Sequence, residues 1–282
     1  SDPLGMINSL HEMDVHFMMS IWPNMAPQSD NYREFKKKGL LLPGSQIYDA
    51  FSEKGRRLYW NQIRQGLFCH GVDAWWCDSC EPITPEWGRK MKPEAGQMYY
   101  DFVKEAGNFM PIRLANAYGL YHAKAIYEGQ RDCTEDKRVI NLIRSSYAGS
   151  QKYGTISWSG DIYADWDTLK KQIVAGLNFC ASGMPYWTLD IGAFFVKKGE
   201  EWFWNGHYEN GNADPGYREL YVRWLQYGVF LPIFRSHGTD CRREPWNFGD
   251  KGDPFYDAIL SAIRLRYHLL PYIYSLAGNV WR

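Results

Sequence analysis

The sequence has no net charge, no long apolar run and no regular cysteine pattern, and each absence removes a class of function. Its 32 Lys and Arg residues balance 32 Asp and Glu residues, so nothing attracts it to nucleic acid or to an anionic membrane surface. The longest apolar runs, such as Gly228 to Phe234, are far too short to span a bilayer. We therefore expect neither nucleic acid nor a membrane among its partners.

The six cysteines lack the spacing of a disulfide framework or a zinc site. Cys77 and Cys80 form a C-x-x-C, but no second C-x-x-C and no H-x-x-x-H accompanies them. We predict ordinary thiols and no metal, which leaves the redox compartment open. Ser1 to Gly5 show no signal peptide, so we expect a periplasmic or secreted protein only if a longer polypeptide carries a leader, and otherwise a cytoplasmic one.

Aromatic residues are abundant, with 13 Trp and 20 Tyr in a 17% aromatic total. An aromatic-rich core would account for many of them. A sugar-binding cleft is the alternative, because indole and phenol rings offer flat apolar faces and a polar edge. Composition alone does not decide between these two interpretations.

The chain alternates short apolar runs with longer amphipathic stretches, which is typical of βα units on a parallel sheet. Six runs have the continuous apolar character of strands buried on both faces: His16–Trp22, Val72–Cys77, Val139–Ile143, Thr155–Trp158, Pro185–Leu189 and Leu231–Phe234. A barrel of this type closes with about eight strands. We therefore expect one barrel domain over residues 1–282 that lacks its first two βα units and belongs to a longer polypeptide.

Polar residues follow nearly every predicted strand, and they are Asp78, Arg144, Asp161, Asp190, Arg235 and His237. In a parallel barrel these positions converge at the carboxyl-terminal mouth, where such enzymes place their chemistry. A single charged residue at such a position is usually a solvated loop residue. Solvated loops explain charged residues after five different strands less readily. Asp78 and Asp161 each have the further alternative of capping a following helix.

Several reaction classes lack their motifs in this sequence. Metal-assisted hydrolysis usually needs clustered histidines. Phosphoryl transfer needs a glycine-rich loop that is followed by Lys-Ser or Lys-Thr. A serine nucleophile needs a G-x-S-x-G elbow. None of these is present. Paired carboxylates beside aromatic residues point instead to glycoside hydrolysis.

Six stretches carry a family resemblance: AWWCDSCEP at 74–82, IRSSYAG at 143–149, WSGD at 158–161, WTLDIG at 187–192, FRSHG at 234–238 and LPYIY at 270–274. In this order and spacing the chain resembles glycoside hydrolase family 31 over essentially its whole length. The resemblance implies an α/β fold, a TIM (β/α)8 barrel present here as strands 3 to 8 of the family fold. It further implies a retaining mechanism with Asp78 as nucleophile and Asp161 as general acid/base.

Retention requires the two carboxylates about 5–5.5 Å apart. Arg144 and Arg235 are candidates for stabilising the carboxylate form of Asp78. The resemblance also implies a substrate-binding set of Trp76, Arg144, Trp158 and His237. Asp190 is similar to a supporting carboxylate that would fix Arg235. For Trp22, sugar contact and a core or rim position are equally good interpretations.

The resemblance leans toward an α-xylosidase acting on xyloglucan-type oligosaccharides, through stretches such as Ser20–Met25, Asn116–Tyr118 and Tyr127–Arg131. An α-glucosidase or an α-transglycosylase of the same family is the alternative, and a non-catalytic carbohydrate-binding barrel is a remote one, because both carboxylates are present. No cofactor is implied, since the acid/base pair suffices. The expected partners are the oligosaccharide and the missing upstream domains of the same polypeptide.

Overall fold

A computed structural model of the protein describes residues 2–81, 83–84 and 89–282. The chain divides into two compact units. Unit 1 comprises Ser1–Glu86 and Pro93–Ser157, and unit 2 comprises Trp87–Lys92 and Trp158–Arg282. Pro82, which belongs to the first of the six family stretches, lies outside the described residues.

Unit 1 contains a parallel sheet whose strands follow the order of the chain. The strands are β1 (Met18–Ile21), β2 (Ala74–Cys77), β3 (Asn141–Ile143) and β4 (Thr155–Trp158). Residues 155–157 of β4 belong to unit 1. Ile21 pairs with Cys77, Cys77 with Ile143, and Ile143 with Ser157, so one row of residues crosses the sheet at its carboxyl-terminal edge. The residues that immediately follow β1, β2 and β3 are therefore brought to that same edge.

Five α-helices flank the sheet in unit 1: α1 (Pro3–Glu12), α2 (Asp30–Lys38), α3 (Glu53–Gly66), α4 (Ala95–Phe109) and α5 (Tyr118–Cys133). Short 3-10 helices lie at Phe68–His70, Ile112–Ala117 and Ser150–Tyr153. Ser29 and Ser52 cap α2 and α3 by accepting backbone hydrogen bonds from Tyr32 and Gly55. The apolar faces of these helices pack on the buried strands and form one core cluster.

Unit 2 contains strand β5 (Trp187–Thr188), helices α6 (Trp166–Ala181), α7 (Pro215–Gly228) and α8 (Pro254–Trp281), and 3-10 helices at Gly211–Ala213 and Pro245–Asn247. Asp165, Asp214 and Asp253 accept backbone hydrogen bonds at the starts of the three α-helices. A second core cluster forms around the buried Trp224 of α7. Among the described residues, no helix is both long and apolar enough to cross a membrane.

Five of the six predicted strands form, and their alternation with helices agrees with the predicted incomplete (β/α)8 barrel. The prediction of a strand at Leu231–Phe234 is wrong: only Ser236 pairs there, in an isolated parallel bridge with Ile191. Arg266 explains the difference, because its guanidinium donates to the carbonyls of Val229, Leu231 and Pro232. These carbonyls are thus satisfied by a side chain instead of a neighbouring strand, and Pro232 has no N–H to offer a ladder.

Candidate active site

Asp78 is held at the carboxyl-terminal edge of the sheet in unit 1. It directly follows β2, and its backbone N–H donates to the carbonyl of Ile21 at 3.1 Å. The chain then turns at Ser79, whose φ of 51° is in the left-handed region and whose N–H donates to Oδ1 of Asp78 at 2.7 Å. The next helix, α4, begins only at Ala95, so Asp78 does not cap it.

Arg144 follows β3 and forms an ion pair with Asp78. Its Nη1 lies 3.1 Å from Oδ1 of Asp78, and its Nη2 lies 2.5 Å from Oε1 of Glu81 and 3.1 Å from Oγ of Ser79. The Arg144 side chain is only 8% exposed, so these contacts are shielded from solvent screening. The structure thus brings together two residues that the sequence analysis placed in the site. It adds Glu81, whose role was missed although it lies in the same sequence stretch.

Cys77 and Cys80, on either side of Asp78, are free thiols and fully buried. The Cys80 thiol donates to the carbonyl of Cys77 over 3.2 Å. Burial raises the pKa of both thiols well above the usual range, and the neighbouring acidic groups raise it further. Both sulfur atoms are therefore protonated and unreactive at neutral pH.

Trp76 and Trp22 occupy different environments in unit 1. Trp76 lies within β2 and is half-buried. Trp22 follows β1, is 46% exposed, and lines a cavity of about 420 Å³ that also includes Asn24 and Tyr59. Its carbonyl accepts a hydrogen bond from the Tyr59 hydroxyl at 2.8 Å. This exposure excludes a core position for Trp22 and leaves the rim and sugar-contact interpretations.

Asp161 follows β4 and belongs to unit 2. Gly160, with a φ of 76°, provides the left-handed turn that directs the chain from the buried Trp158 to the half-buried Asp161. The residue that caps α6 is Asp165, which accepts a hydrogen bond from the Thr168 N–H. Asp161 therefore has no capping role at this helix, which removes the structural alternative considered for it.

Asp190 and Arg235 form a buried ion pair in unit 2. Asp190 follows β5 and is fully buried, and its Oδ1 lies 2.6 Å from Nη2 of Arg235. The guanidinium of Arg235 lies 5.7 Å from the ring centroid of Trp158. Burial raises the pKa of Asp190 to about 7, and the charge of Asp161 adds to this, although Arg235 opposes it. The predicted pairing of Asp190 with Arg235 is present.

His237 lies beyond Arg235 and is held in its neutral form. Burial lowers the pKa of His237 to about 4, and the positive charges of Arg235 and Arg243 lower it further. Its ring centroid lies 5.4 Å from that of Phe194. A neutral imidazole has one nitrogen that donates and one that accepts, which suits contact with a sugar hydroxyl.

A second polar cluster lies at the opposite ends of the strands in unit 1. Among the described residues, His11, His16 and Asp73 have donor atoms close enough to hold a metal ion. However, the ammonium of Lys137 lies 2.5 Å from Oδ1 of Asp73, and Oδ2 accepts from Phe17 N–H at 2.7 Å. The protein's own cation already neutralises this carboxylate, so the cluster is an ion-pair network.

The predicted site residues thus fall into two sets. Unit 1 holds Trp76, Asp78 and Arg144, and unit 2 holds Trp158, Asp161, Asp190, Arg235 and His237. Each set contains one candidate carboxylate that follows a strand, together with a buried arginine that is paired with a carboxylate.

Comparison with known proteins gives one family. The model of the glycosyl hydrolases family 31 TIM-barrel domain matches residues 1–276. An α-xylosidase of Saccharolobus solfataricus is 40% identical over 276 residues, which is 98% of this chain and 34% of that protein. Human neutral α-glucosidase C is 41% identical over 245 residues, which is 85% of this chain and 24% of that protein.

Solved structures of similar proteins point the same way. The family 31 α-xylosidase of Xanthomonas citri superposes with a TM-score of 0.83 at 37% identity, covering 99% of this chain and 30% of that one. A family 31 dextranase of Flavobacterium johnsoniae, complexed with glucose, gives a TM-score of 0.78 at 26% identity, covering 98% of this chain and 34% of that one. The chain therefore spans about a third of the length of these proteins.

Proposed function

The chain belongs to glycoside hydrolase family 31, and on that premise we propose that it carries the catalytic carboxylates of a retaining α-glycosidase. The observation that supports this most directly is the setting of Asp78. It follows a parallel strand of a barrel, where such folds place their chemistry, and it is paired with the buried Arg144. A carboxylate that is ion-paired and oriented in this way is suited to nucleophilic attack.

In the proposed first step, Asp78 attacks the anomeric carbon of an α-linked sugar. The bond to the leaving oxygen breaks, and Asp161 donates its proton to that oxygen. The contacts of Ser79 N–H and Arg144 are both to Oδ1 of Asp78, so we assign the attack to Oδ2. The product is a glycosyl ester of Asp78 with inverted configuration at the anomeric carbon.

In the second step, Asp161 takes a proton from water, which attacks the anomeric carbon and releases Asp78. Two inversions give a product with the original configuration. Asp190 and Arg235 take part as a supporting pair for the binding set. Trp158 is 3% exposed and its ring lies close to Arg235, so we propose that it supports that guanidinium.

For the substrate, we propose the α-linked xylose of xyloglucan-type oligosaccharides. The α-xylosidases of Saccharolobus solfataricus and Xanthomonas citri, with 40% and 37% identity, support this choice. An α-glucosidase or transglycosylase is the second candidate, which the similarity to neutral α-glucosidase C supports. In either case we propose that further segments of the same polypeptide complete the protein, since its relatives are about three times as long.

Chemical rescue tests the two roles, with aryl α-xyloside and aryl α-glucoside assayed side by side on the complete protein. Asp78→Ala should lose turnover of every substrate by several orders of magnitude. Asp161→Ala should retain the first step for good leaving groups, which need little protonation, but should hydrolyse the ester slowly. Azide needs no general base, so it should restore turnover in Asp161→Ala and yield the α-glycosyl azide.

The exposed Asp136 provides a matched control, because Asp136→Ala removes a carboxylate without touching the site and should leave activity unchanged. Formation of the β-azide by Asp161→Ala, or azide rescue in Asp78→Ala alone, would show that the roles are exchanged. A faster reaction with the α-glucoside than with the α-xyloside would favour the second candidate substrate.

A further inference from the structure

Two loops of unit 2 are bound tightly to each other beside the candidate site. We call residues 190–197, which follow β5, the Asp190 loop, and residues 236–243 the His237 loop. Thr239 N–H donates to the carbonyl of Phe194 at 3.1 Å. The carboxylate of Asp240 accepts from the N–H groups of Val196 at 3.0 Å and Lys197 at 2.8 Å. These bonds fix the His237 loop against the Asp190 loop.

Arg243 adds the central link between the same two loops. Its Nη2 donates to the carbonyls of Ala193 at 2.6 Å and Phe194 at 3.2 Å. Its Nη1 donates to the carbonyl of Cys241 at 2.5 Å. Ala193 has a φ of 67°, which is uncommon for a residue with a side chain. Arg243 therefore stabilises a strained turn whose carbonyl groups point at its guanidinium.

His237 is close to two residues that Arg243 contacts, Phe194 and Gly238. The ring of Phe194, whose carbonyl Arg243 binds, lies 5.4 Å from the His237 ring. Gly238 packs so closely that a Cβ atom there would lie 1.9 Å from Nη2 of Arg243. The cations that act on His237 are Arg235 and Arg243, and both disfavour its protonated form.

We infer that Arg243 is a positioning residue that holds His237 against Phe194, in place for contact with a sugar hydroxyl. Its charge also disfavours the protonated form of the His237 imidazole. This inference rests on the proposed function. The sequence analysis gave Arg243 no role, since it lies outside the six family stretches and contacts the Asp190 loop only through the fold. Its expected effect is on substrate binding and on the acidic limb of the pH profile.

The test compares three variants of the complete protein. Arg243→Met removes the charge and the hydrogen bonds, whereas Arg243→Lys keeps a charge without the planar fork. Asp240→Asn weakens the same loop-to-loop link without removing a cation. NMR titration of protein labelled with [13Cε1]-histidine gives the pKa of His237, assigned by the signal lost in His237→Asn. The pH dependence of KM and kcat is measured in parallel.

In Arg243→Met the pKa of His237 should rise measurably but by less than about one unit, because one of its two neighbouring cations is gone while burial and Arg235, the larger causes of its low pKa, remain. The acidic limb of kcat/KM should move up with it, and KM should rise by up to about twofold near pH 5 and by more at lower pH, with a smaller change in kcat. Arg243→Lys should keep the low pKa and raise KM at all pH values. Asp240→Asn should raise KM without moving the acidic limb.

An unchanged pKa of His237 in folded Arg243→Met would overturn the inference, and so would an equal shift in Asp240→Asn. If Arg243→Met does not fold, a KM of Arg243→Lys equal to that of the wild type would overturn the inference instead. The NMR titration needs no turnover. A wild-type protein without glycosidase activity would therefore count against the proposed function alone, and leave the effect of Arg243 on His237 to be judged by its own measurement.

Discussion

Gly129 offers a sharp test of how tightly helices α3 and α5 pack. A Cβ atom at Gly129 would lie 2.1 Å from Cγ of Trp60 on α3, and 2.4 and 2.5 Å from two further ring atoms. Trp60 is 5% exposed, and its ring makes an edge contact with Trp75 at 5.9 Å between centroids. The indole also packs against Phe68, so Gly129→Ala must displace the ring from these contacts or move one of the two helices.

The expected size of the effect combines two opposing contributions. Replacing Gly by Ala inside a helix favours folding by about 1 kcal/mol. Overpacking a filled interior costs about 1–3 kcal/mol and occasionally more, and an overlap this deep belongs at the upper end. We therefore expect Gly129→Ala to lower the free energy of unfolding by about 2 kcal/mol, which corresponds to a Tm lower by roughly 4–8 °C.

Urea unfolding followed by tryptophan fluorescence measures this change. Gly107→Ala on α4 is the matched control, because its Cβ atom would meet Ile112 at ordinary van der Waals distances of 3.5 and 3.6 Å. It should be neutral or should stabilise the protein by up to about 1 kcal/mol. Equal stabilities of the two variants would refute the packing described for α3 and α5.

Two further predictions concern charges buried in unit 1. Burial lowers the pKa of His122 to about 3, below its usual 6.5, so the unfolded chain binds a proton first and stability falls as the pH drops from about 6.5 toward 3. The free energy of unfolding obtained from urea titrations should fall by about 2.5 kcal/mol from this source between pH 7 and 4.5 in the wild type, and His122→Phe should lose that part of the slope. Asp73→Asn should cost about 1–2 kcal/mol, because it leaves the partly exposed ammonium of Lys137 without its carboxylate. Removing both partners in Asp73→Asn/Lys137→Met should recover part of that loss, and a double variant less stable than the single one would contradict it.

Much of the fold could be predicted from local pattern. Strands buried on both faces read as continuous apolar runs, which is why β1 to β5 fall within their predicted ranges. Helix α2 was not predicted, because six of its nine residues are charged and only Phe35 is buried, although Ser29 was a usable cap signal.

The site could be predicted where residues directly follow strands, and not where it depends on contacts between distant segments. Asp78, Asp161 and Asp190 all follow strands, so the periodicity of the chain located them. Glu81 and Arg243 act through loops that meet only in the fold, and Arg243 lies 49 residues from the carbonyl of Phe194 that it binds. No local pattern encodes such a meeting.

The burial of Cys77 and Cys80 has a consequence for the selectivity of the proposed reaction. The electrophilic carbon that Asp78 would capture could also be captured by sulfur, since a thiolate is a strong nucleophile. A sulfur-linked sugar would be a dead end, because no group in the proposed mechanism is placed to release it. By raising the pKa of both thiols, the core that surrounds them removes two competitors from either side of the proposed nucleophile. The burial that stabilises the strand end would thus also prevent the proposed reaction from ending in a sulfur-linked sugar.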